Sequence, residues 1–237
     1  MKILALETSA KAVSAAVAED GVLLASGYLN TGLTHSRTLM PIVEAMLKNA
    51  DLCMEDIGAV AVASGPGSFT GIRIGVAAAK GLAFAAGIPV VGVSTLEAMA
   101  RNLILWDGLI VCAMDARRSQ VYNAVFEAAD GALTRLTPDR AVGLDELSKE
   151  LEISKKRKIV VGDGGRLCYN RLLEDKIACT LAPPHLLMQN ASGVALAAEE
   201  LLRAGMGLSA QDLAPVYLRP AQADRLRNEQ MKKEQPT

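Results

Sequence analysis

The sequence predicts an α/β protein built from two lobes that repeat one folding unit. Three observations carry this prediction. Strand-like and helix-like segments alternate along the chain, the order β-β-β-α-β-α occurs twice, and an acid follows the first strand of each unit, Glu7 and Asp115. Two such units each bury their own core and leave a cleft between them. We expect mixed sheets, a first lobe at 1–100, a smaller second lobe at 101–205, and a return segment with a polar tail at 206–237.

The first unit is predicted from runs of apolar residues and from turn residues. An Asp20-Gly21 pair joins the second and third strands as a hairpin turn. Pro41 is compatible with a helix if it lies in the first turn. Ser94 is the expected N-cap of a short helix, with Glu97 completing a capping box. The predicted strands lie at 2–6, 12–18, 22–29, 59–63 and 89–93, and the predicted helices at 38–49, at 71–86 and from residue 95.

The second unit follows the same order, with Asp130-Gly131 as its hairpin turn. An amphipathic helix follows the repeat, and the polar tail after Arg219 is expected to fray. The predicted strands lie at 109–114, 120–126, 132–136 and 158–161, and the predicted helices at 144–151, 164–173 and 191–204.

Composition limits the classes of function. The chain has 237 residues, 51% of them hydrophobic and 22% charged, which is typical of a globular protein. With 25 basic and 26 acidic residues and 3% aromatics, it offers little for nucleic-acid binding or base stacking, and the basic run at 155–158 is interpreted as a solvated edge. Lys80 and Pro89 interrupt the longest apolar stretches, which argues against a membrane span. We therefore expect a cytoplasmic protein.

Cysteine and histidine spacing gives no local signature of a metal site. The cysteines form no CxxC pair and fit reduced thiols, and the two histidines are far apart in the sequence. We therefore expect neither a metal nor a cofactor. The residues concerned are Cys53, Cys112, Cys168, Cys179, His35 and His185.

A glycine-rich turn at 65–71 connects an apolar strand to an apolar helix, which is where α/β proteins often bind phosphates. Its spacing is G-x-G-x-x-x-G, so the dinucleotide fingerprint is not met, and the P-loop pattern around Lys80 also fails. No G-x-S-x-G elbow is present either. The turn is therefore either a different anion loop or a purely structural turn.

Other loops occupy places where a two-lobed phosphotransferase would hold phosphates and a metal ion. The alternative is structural: Thr8 and Ser9 cap a turn, and Asp115 pairs with Arg117 or Arg118. We treat the set as vestigial nucleotide-type loops. Its members are Thr8, Ser9, Gly65, Gly67, Asp115, Gly162 and Gly164.

The helix at 71–86 is apolar almost all the way round, so both of its sides must be covered. Arg73 and Lys80 lie seven positions apart and form its one polar stripe. Either another protein covers the remaining face, or other parts of this chain do. The candidate interface residues on this helix and the helix at 38–49 are Met40, Val43, Leu47, Arg73, Ile74, Ala78, Lys80, Gly81 and Ala85.

Several motifs together identify a resemblance. They are Ile3-Leu-Ala-Leu-Glu-Thr-Ser9, His35-Ser36, Gly65-Pro-Gly-Ser-Phe-Thr-Gly-Ile-Arg-Ile-Gly75 with Ala79-Lys-Gly-Leu82, Gly92-Val-Ser-Thr-Leu96, Asp115-Ala-Arg-Arg118 and Tyr217-Leu-Arg219. In this order they resemble the TsaB (YeaZ) family, needed for threonylcarbamoyladenosine at position 37 of tRNAs.

The resemblance implies a duplicated ribonuclease H-like fold of the ASKHA (actin/Hsp70) type. It further implies a cytoplasmic subunit that binds the catalytic carbamoyltransferase TsaD, joined by the ATPase TsaE, with tRNA involved indirectly. The helices at 38–49 and 71–86 would form the bundle used for TsaD or for a homodimer.

One departure from the catalytic relatives bears on activity. Those relatives carry a His-x-x-x-His metal motif directly after the strand corresponding to 89–93, where this chain has Thr95 and Met99. Neither side chain is a good ligand for a hard catalytic cation, and the old glycoprotease label for the superfamily is weakened by the same absence. The resemblance thus implies a non-catalytic subunit. The alternative is an ATP-dependent phosphotransferase or carbamoyltransferase acting on its own through Thr8, Ser9 and Asp115.

Overall fold

The computed structural model describes residues 1–219 and shows two sheets with helices on both faces of each. Predictions for the tail after Arg219 lie outside the described residues. The elements of the first lobe are β1 Ile3–Glu7, β2 Val13–Glu19, β3 Val22–Leu29, α1 His35–Asn49, β4 Ala59–Gly65, α2 Phe69–Ala86, β5 Val90–Ser94 and α3 Thr95–Arg101, with a 3-10 turn at Met54–Asp56.

The second lobe repeats the pattern and is followed by one long helix. Its elements are β6 Gly108–Asp115, β7 Gln120–Ala129, β8 Ala132–Arg135, β9 Arg140–Gly143, α4 Leu144–Glu152, β10 Lys158–Val161, α5 Gly165–Glu174, β11 Thr180–Leu181 and α6 Ala191–Arg203.

The strand orders confirm the duplication. The first sheet runs β3-β2-β1-β4-β5, and the second runs β8-β7-β6-β10-β11, so each strand of the first lobe has a counterpart at the same place in the second. In both sheets the first three strands are antiparallel and the last two join in parallel. This is the predicted duplicated ribonuclease H-like, two-lobed fold with mixed sheets.

Alternation along the strands creates five layers, because successive side chains of a strand point to opposite faces. In β1, Leu4 and Leu6 pack with α1 and α2, whereas Ile3 and Ala5 pack with α6. In the second sheet one face packs against α3 and the other against α4 and α5. The resulting order is α1 and α2, first sheet, α3 and α6, second sheet, α4 and α5.

Small residues allow α6 to pack closely against the first sheet and against α3. The face of the first sheet toward α6 is lined largely by alanines, and α6 itself is rich in alanine. Although the sequence division groups residues 191–203 with the second lobe, α6 packs against the first sheet and against α3. At Gly193 an added Cβ would lie 1.9 Å from the carbonyl oxygen of Ala98. The α3–α6 contact therefore requires glycine at that position.

The return segment at 206–219 is a strap along the first lobe. Leu208 pairs with Val90 at the edge of β5, and Leu213 is buried in the core of the first lobe. Further along, the Val216 N–H donates to the Ser64 carbonyl at 2.8 Å. The strap thus runs from the beginning of β5 to the end of β4.

Most predicted elements are present, and the differences concern ends and short strands. Both hairpin turns have the predicted left-handed residues. However, α1 begins at His35, so Pro41 lies in its second turn rather than its first. Pro41 and Arg37 are both exposed, so water can satisfy the Arg37 carbonyl that loses its helical partner. β9 and β11 were not predicted; they have four and two residues, and two residues are too few to show a period.

The capping prediction for α3 holds in part. The Ser94 hydroxyl accepts from the Glu97 N–H at 3.2 Å, as an N-cap should. The Glu97 carboxylate, in contrast, turns away from the cap and pairs with Arg101 and Arg135. Two arginines thus displace the second half of the predicted box.

Among the described residues, α2 alone is long and apolar enough to cross a membrane by length and composition. Here it packs against β4, with Ile72, Val76, Ala79 and Ala83 buried in the core of the first lobe. The apolar residues on this side of α2 are therefore explained by packing in the core of the first lobe.

The α3–α6 contact yields a test. Gly193→Ala should destabilise the protein by about 2 kcal/mol, because the clash with the Ala98 carbonyl outweighs the better helix propensity of alanine. Urea unfolding measures the change. Gly81→Ala is the matched control, since its Cβ would meet nothing within 4 Å; it should stabilise by up to ~1 kcal/mol. A Gly193→Ala protein as stable as wild type would contradict the packing described.

Candidate functional site

A cleft of about 450 Å³ opens between the lobes, where the loops after β1, β4, β6 and β10 meet. Because parallel strands end at the same edge of a sheet, each lobe supplies two of these loops. The cleft brings together three residues of the predicted vestigial loops, Ser9, Gly67 and Asp115, and adds Lys11 and Asp163.

Thr8 is used within the fold rather than exposed to a ligand. It is fully buried, and its hydroxyl donates to the Gly71 carbonyl of α2 at 2.7 Å. An added Cβ at Gly71 would lie 2.1 Å from the Thr8 carbonyl oxygen, and one at Gly75 would lie 2.3 Å from the Thr8 hydroxyl. Gly75 therefore leaves room for a contact between α2 and the end of β1 inside this chain.

The glycine-rich turn is also occupied by contacts within the chain. Gly67, at φ 158°, leaves room for the Ser9 carbonyl, which accepts from the Ser68 N–H at 2.6 Å. Gly65, at φ 138°, leaves room for the Val216 carbonyl of the strap. One of the amides at the beginning of α2 thus already has a partner, which favours the structural reading of this turn.

Three carboxyl groups lie at the cleft: Glu7 is buried beside it, and Asp115 and Asp163 line it. Glu7 is fully buried, its Oε1 accepts from the Ser9 N–H at 2.5 Å, and its Oε2 has no hydrogen-bond partner. Burial raises the pKa of Glu7 to about 7, and the negative charge of Asp163 adds to the effect. Desolvation of the carboxyl, together with repulsion from Asp115, raises the pKa of Asp163 as well.

The sequence prediction missed Asp163, which lines the cleft, and its hydrogen-bond partner Gln189. The Gln189 Nε2 donates to Asp163 at 2.8 Å, and the Gln189 Oε1 is buried without a partner. Asp163 stands between the predicted residues Gly162 and Gly164, both buried against the backbone at the end of β6. The two glycines therefore predicted the loop correctly but did not identify Asp163 as its cleft-lining residue. No local sequence pattern identifies Gln189.

Asp115 forms neither of the two predicted arginine ion pairs. Its Oδ1 accepts from the backbone N–H of Arg117 at 2.7 Å and so caps its own turn. Arg117 and Arg118 are exposed, and neither has an acidic partner within residues 1–219. The alternative in which Asp115 is neutralised by a neighbouring arginine is therefore wrong.

Thr95 and Met99 lie on α3 between the lobes. Both are buried, the Thr95 hydroxyl has no partner, and an added Cβ at Gly162 would be 3.2 Å from the Met99 sulfur. Across residues 1–219 no three His, Cys, Asp or Glu side chains are placed to hold a metal ion. A hydroxyl and a thioether provide poor ligands for a hard cation.

A second candidate site is the outer face of α2. Ala77, Gly81, Phe84 and Ala85 are exposed, at the i, i+4, i+7 and i+8 spacing of one helical face. Phe84 is 72% exposed, and an added Cβ at Gly81 would meet nothing within 4 Å. Ile74 and Ala78 lie at the half-buried margin of the same face. We call these six residues the α2 face.

Three predicted interface residues lie on α1, and the structure separates them. Met40 is 42% exposed, whereas Val43 and Leu47 are 2% and 7% exposed in the core of the first lobe. The prediction that Val43 and Leu47 lie beyond the core stripe is therefore wrong. Because α1 begins at His35 and packs on both β2 and β3, its buried stripe is wider than one sheet contact requires.

Arg73 and Lys80 share a face, as predicted, but that face holds the strap. The Arg73 guanidinium lies 3.8 Å from the centre of the Phe69 ring and donates to the Tyr217 hydroxyl at 2.9 Å. The Lys80 ammonium donates to the Gln211 and Leu213 carbonyls, both at 3.0 Å. Both cations are thus engaged within the chain.

Comparison with known proteins identifies the family. A family model for TsaD, described as tRNA N6-adenosine threonylcarbamoyltransferase, matches residues 30–225. The tRNA threonylcarbamoyladenosine biosynthesis protein TsaB of Bacillus subtilis is 35% identical over 74% of this chain and 76% of its own length. The Escherichia coli protein of the same name is 31% identical over 92% and 95%. The chain belongs to the TsaB family.

Solved structures of the TsaB family agree with the fold. YeaZ from Pseudomonas aeruginosa is 27% identical, with a TM-score of 0.80 over 92% of this chain and 99% of its own. A second Pseudomonas aeruginosa structure, of a protein described as similar to peptidase YeaZ, has a TM-score of 0.78 over the same shares.

The buried Glu7 gives the cleft a pH-dependent test. Its folded-state pKa is raised to about 7 from 4.5, so folding favours the protonated form and the free energy of unfolding falls as pH rises through this window. Between about pH 5 and pH 8, Glu7→Gln should gain about 2 kcal/mol relative to wild type, because glutamine keeps the acceptor for Ser9 and does not ionise.

Urea unfolding at a series of pH values measures the difference. Glu44→Gln, at an exposed position of α1, is the matched control and should follow wild type across the range. If Glu7→Gln and wild type keep a constant difference in unfolding free energy at all pH values, the raised pKa of Glu7 is contradicted.

Proposed function

We propose that this chain is the non-catalytic subunit of the machinery that makes N6-threonylcarbamoyladenosine at tRNA position 37. In this role it binds and activates a TsaD-type carbamoyltransferase, with a TsaE-type ATPase joining them. The observation that carries the proposal is the uncovered α2 face, on a helix whose other sides are fully used within the chain. The assignment to threonylcarbamoyladenosine synthesis rests on the names of the TsaB relatives.

The α2 face has the properties of a close helix–helix interface. Alanine and glycine at its centre let another backbone approach, and Phe84 provides a large apolar side chain at one end. A groove of about 420 Å³ adjoins the same end, lined in part by Met54, Ile57 and Leu82. Within residues 1–219 nothing packs over Gly81. A partner helix would bury this apolar surface.

The same face supports a homodimer as a competing state. A two-fold interface uses one patch on both copies, and a small-residue helix face is self-complementary in that sense. We infer that self-association and TsaD binding compete for the α2 face, so the partner subunit would displace the homodimer.

The absence of catalysis is inferred from the side chains on α3. Thr95 and Met99 occupy the positions at which the resemblance places the two histidines of catalytic relatives, and both are buried at the interlobe boundary. The chain also lacks a G-x-S-x-G nucleophile elbow. We infer a cytoplasmic subunit without a metal-dependent or hydrolytic activity of its own.

The convergence of four loops on one cleft favours a second candidate, an ATP-dependent phosphotransferase. Three features oppose it. The Thr8 hydroxyl and the Ser68 amide have partners within the chain, and the carboxyls at the cleft would repel phosphate. Calorimetry with Mg-ATP on the isolated protein should show no binding at millimolar nucleotide; saturable heat there would favour the second candidate.

Gly81→Glu tests the interface. The side chain would project into open space, so the fold should be retained while a charge is buried in the complex. We expect affinity for the purified TsaD-type subunit to fall at least about 100-fold, measured by calorimetry, with reconstituted tRNA modification falling in parallel.

Asn170→Glu, at an exposed position of α5 in the second lobe, is the matched control and should bind and activate normally. Undiminished tRNA modification when this chain is left out would overturn the proposed function. Unchanged binding by a folded Gly81→Glu protein would instead overturn the α2 face as its interface.

A further inference from the structure

Four cations on the loops and the helix start beside the interlobe cleft have no acidic partner within residues 1–219. Lys11 and Arg117 line the cleft, Arg118 follows Arg117 at the tip of the β6–β7 loop, and Arg166 lies in the first turn of α5. All four are exposed. We call them the basic rim. We propose that the basic rim binds the phosphate backbone of RNA, which under the proposed function is the tRNA substrate.

Several arginines elsewhere in the two lobes are paired with acids. Arg101 pairs with Glu97 and Glu200, Arg135 with Glu97 and Asp139, and Arg140 with Glu150. Arg37, Arg73 and Arg157 also have no acidic partner within residues 1–219, and Arg73 and Arg157 lie over aromatic rings. What distinguishes the basic rim is that its cations lie on neighbouring loops beside one cleft. Clustered unpaired cations are the electrostatic signature of a phosphate-binding surface.

Three rim positions carry a conformational or electrostatic cost. Arg117, Arg118 and Ser119 have φ values of 65°, 55° and 55°, three successive non-glycine residues in the left-handed region. Such strain persists where a surrounding structure or a function requires it. Arg166 lies at the N-terminus of α5, where the helix dipole disfavours a cation. Neither feature stabilises the isolated protein, and both place guanidinium groups at the cleft mouth.

The acids of the cleft determine how an RNA strand would lie. Glu7 is fully buried, and Asp115 and Asp163 line the cleft, so the carboxylates of the two aspartates would repel a phosphate that entered it. The strap ends at the same mouth, where the Arg219 guanidinium donates to the Ala116 carbonyl at 2.8 Å. The backbone of an RNA therefore crosses the mouth from lobe to lobe without entering it, unlike a nucleotide.

RNA is the occupant that the charges favour, because several separate cations spread over loops of both lobes match a chain of phosphates rather than a single anion. Guanidinium groups also suit bidentate phosphate contacts. An acidic segment of a protein partner is the main competitor, and the experiment separates the two.

The test uses the full chain and a fluorescein-labelled transfer RNA transcript, with affinity measured by anisotropy at several salt concentrations. In the Arg117→Gln/Arg118→Gln double variant, affinity should fall about tenfold or more, and the slope of log K against log salt should shrink by about 1.5, as expected for two lost phosphate contacts. Glutamine keeps the size of the side chain and changes only its charge.

Lys149→Gln/Lys176→Gln is the matched control, because both lysines are exposed and Lys176 shares the left-handed backbone at φ 60°. It should leave affinity and slope unchanged. No binding by the wild-type chain at low salt, or equal losses in both double variants, would overturn the RNA assignment. So would a rim variant that loses affinity for the TsaD-type subunit while binding RNA normally. Reconstituted activity is measured separately, so failure of the proposed function would be seen independently.

Discussion

The close contact between α2 and the end of β1 is the interaction on which the rest of this structure depends. Gly71 and Gly75 remove the side chains that would collide with Thr8, and the Thr8 hydroxyl then bonds to the backbone of α2. This contact seats the 18-residue helix on the first sheet, directly beside Ser9, Gly67 and Ser68, which line the interlobe cleft. A Cβ at either glycine would push the helix off the sheet, because atoms in a packed interior have little room to move.

The same contact decides which of two uses remains open to this glycine-rich segment. Binding a phosphate requires free hydroxyls and amides at the turn. The Thr8 hydroxyl and the Ser68 amide, however, are already hydrogen-bonded within the chain. Seating α2 in this way leaves its opposite side, around Gly81, uncovered. The strap then takes the third side through Arg73 and Lys80. Because the sheet and the strap cover the other sides of α2, the α2 face is the surface that remains available for a partner.

Patterns that are local in sequence predicted most of the fold, whereas contacts between distant segments had to come from the structure. The hairpin turns, the duplicated strand order and the buried stripe of α2 all follow from spacing within a few residues. The burial of Val43 and Leu47 could not be predicted, because it depends on how β2 and β3 lie beneath α1. Likewise, Arg73 and Lys80 form a recognisable stripe, but the strap that occupies it lies more than 100 residues away.

The positions of charged residues around the cleft likewise could not be predicted from local sequence patterns. Composition suggested a protein unsuited to nucleic acids, yet a net charge near zero says nothing about where the unpaired charges lie. Salt bridges along α3 and in the second lobe pair Arg101, Arg135 and Arg140 with acids, whereas the cations on the loops beside the cleft have no acidic partner within residues 1–219. Those loops are brought together only because the lobes are duplicates, each ending its parallel strands at the same edge. The two lobes thus place carboxyl groups inside the cleft and, as proposed, a basic rim for a chain of phosphates at its mouth.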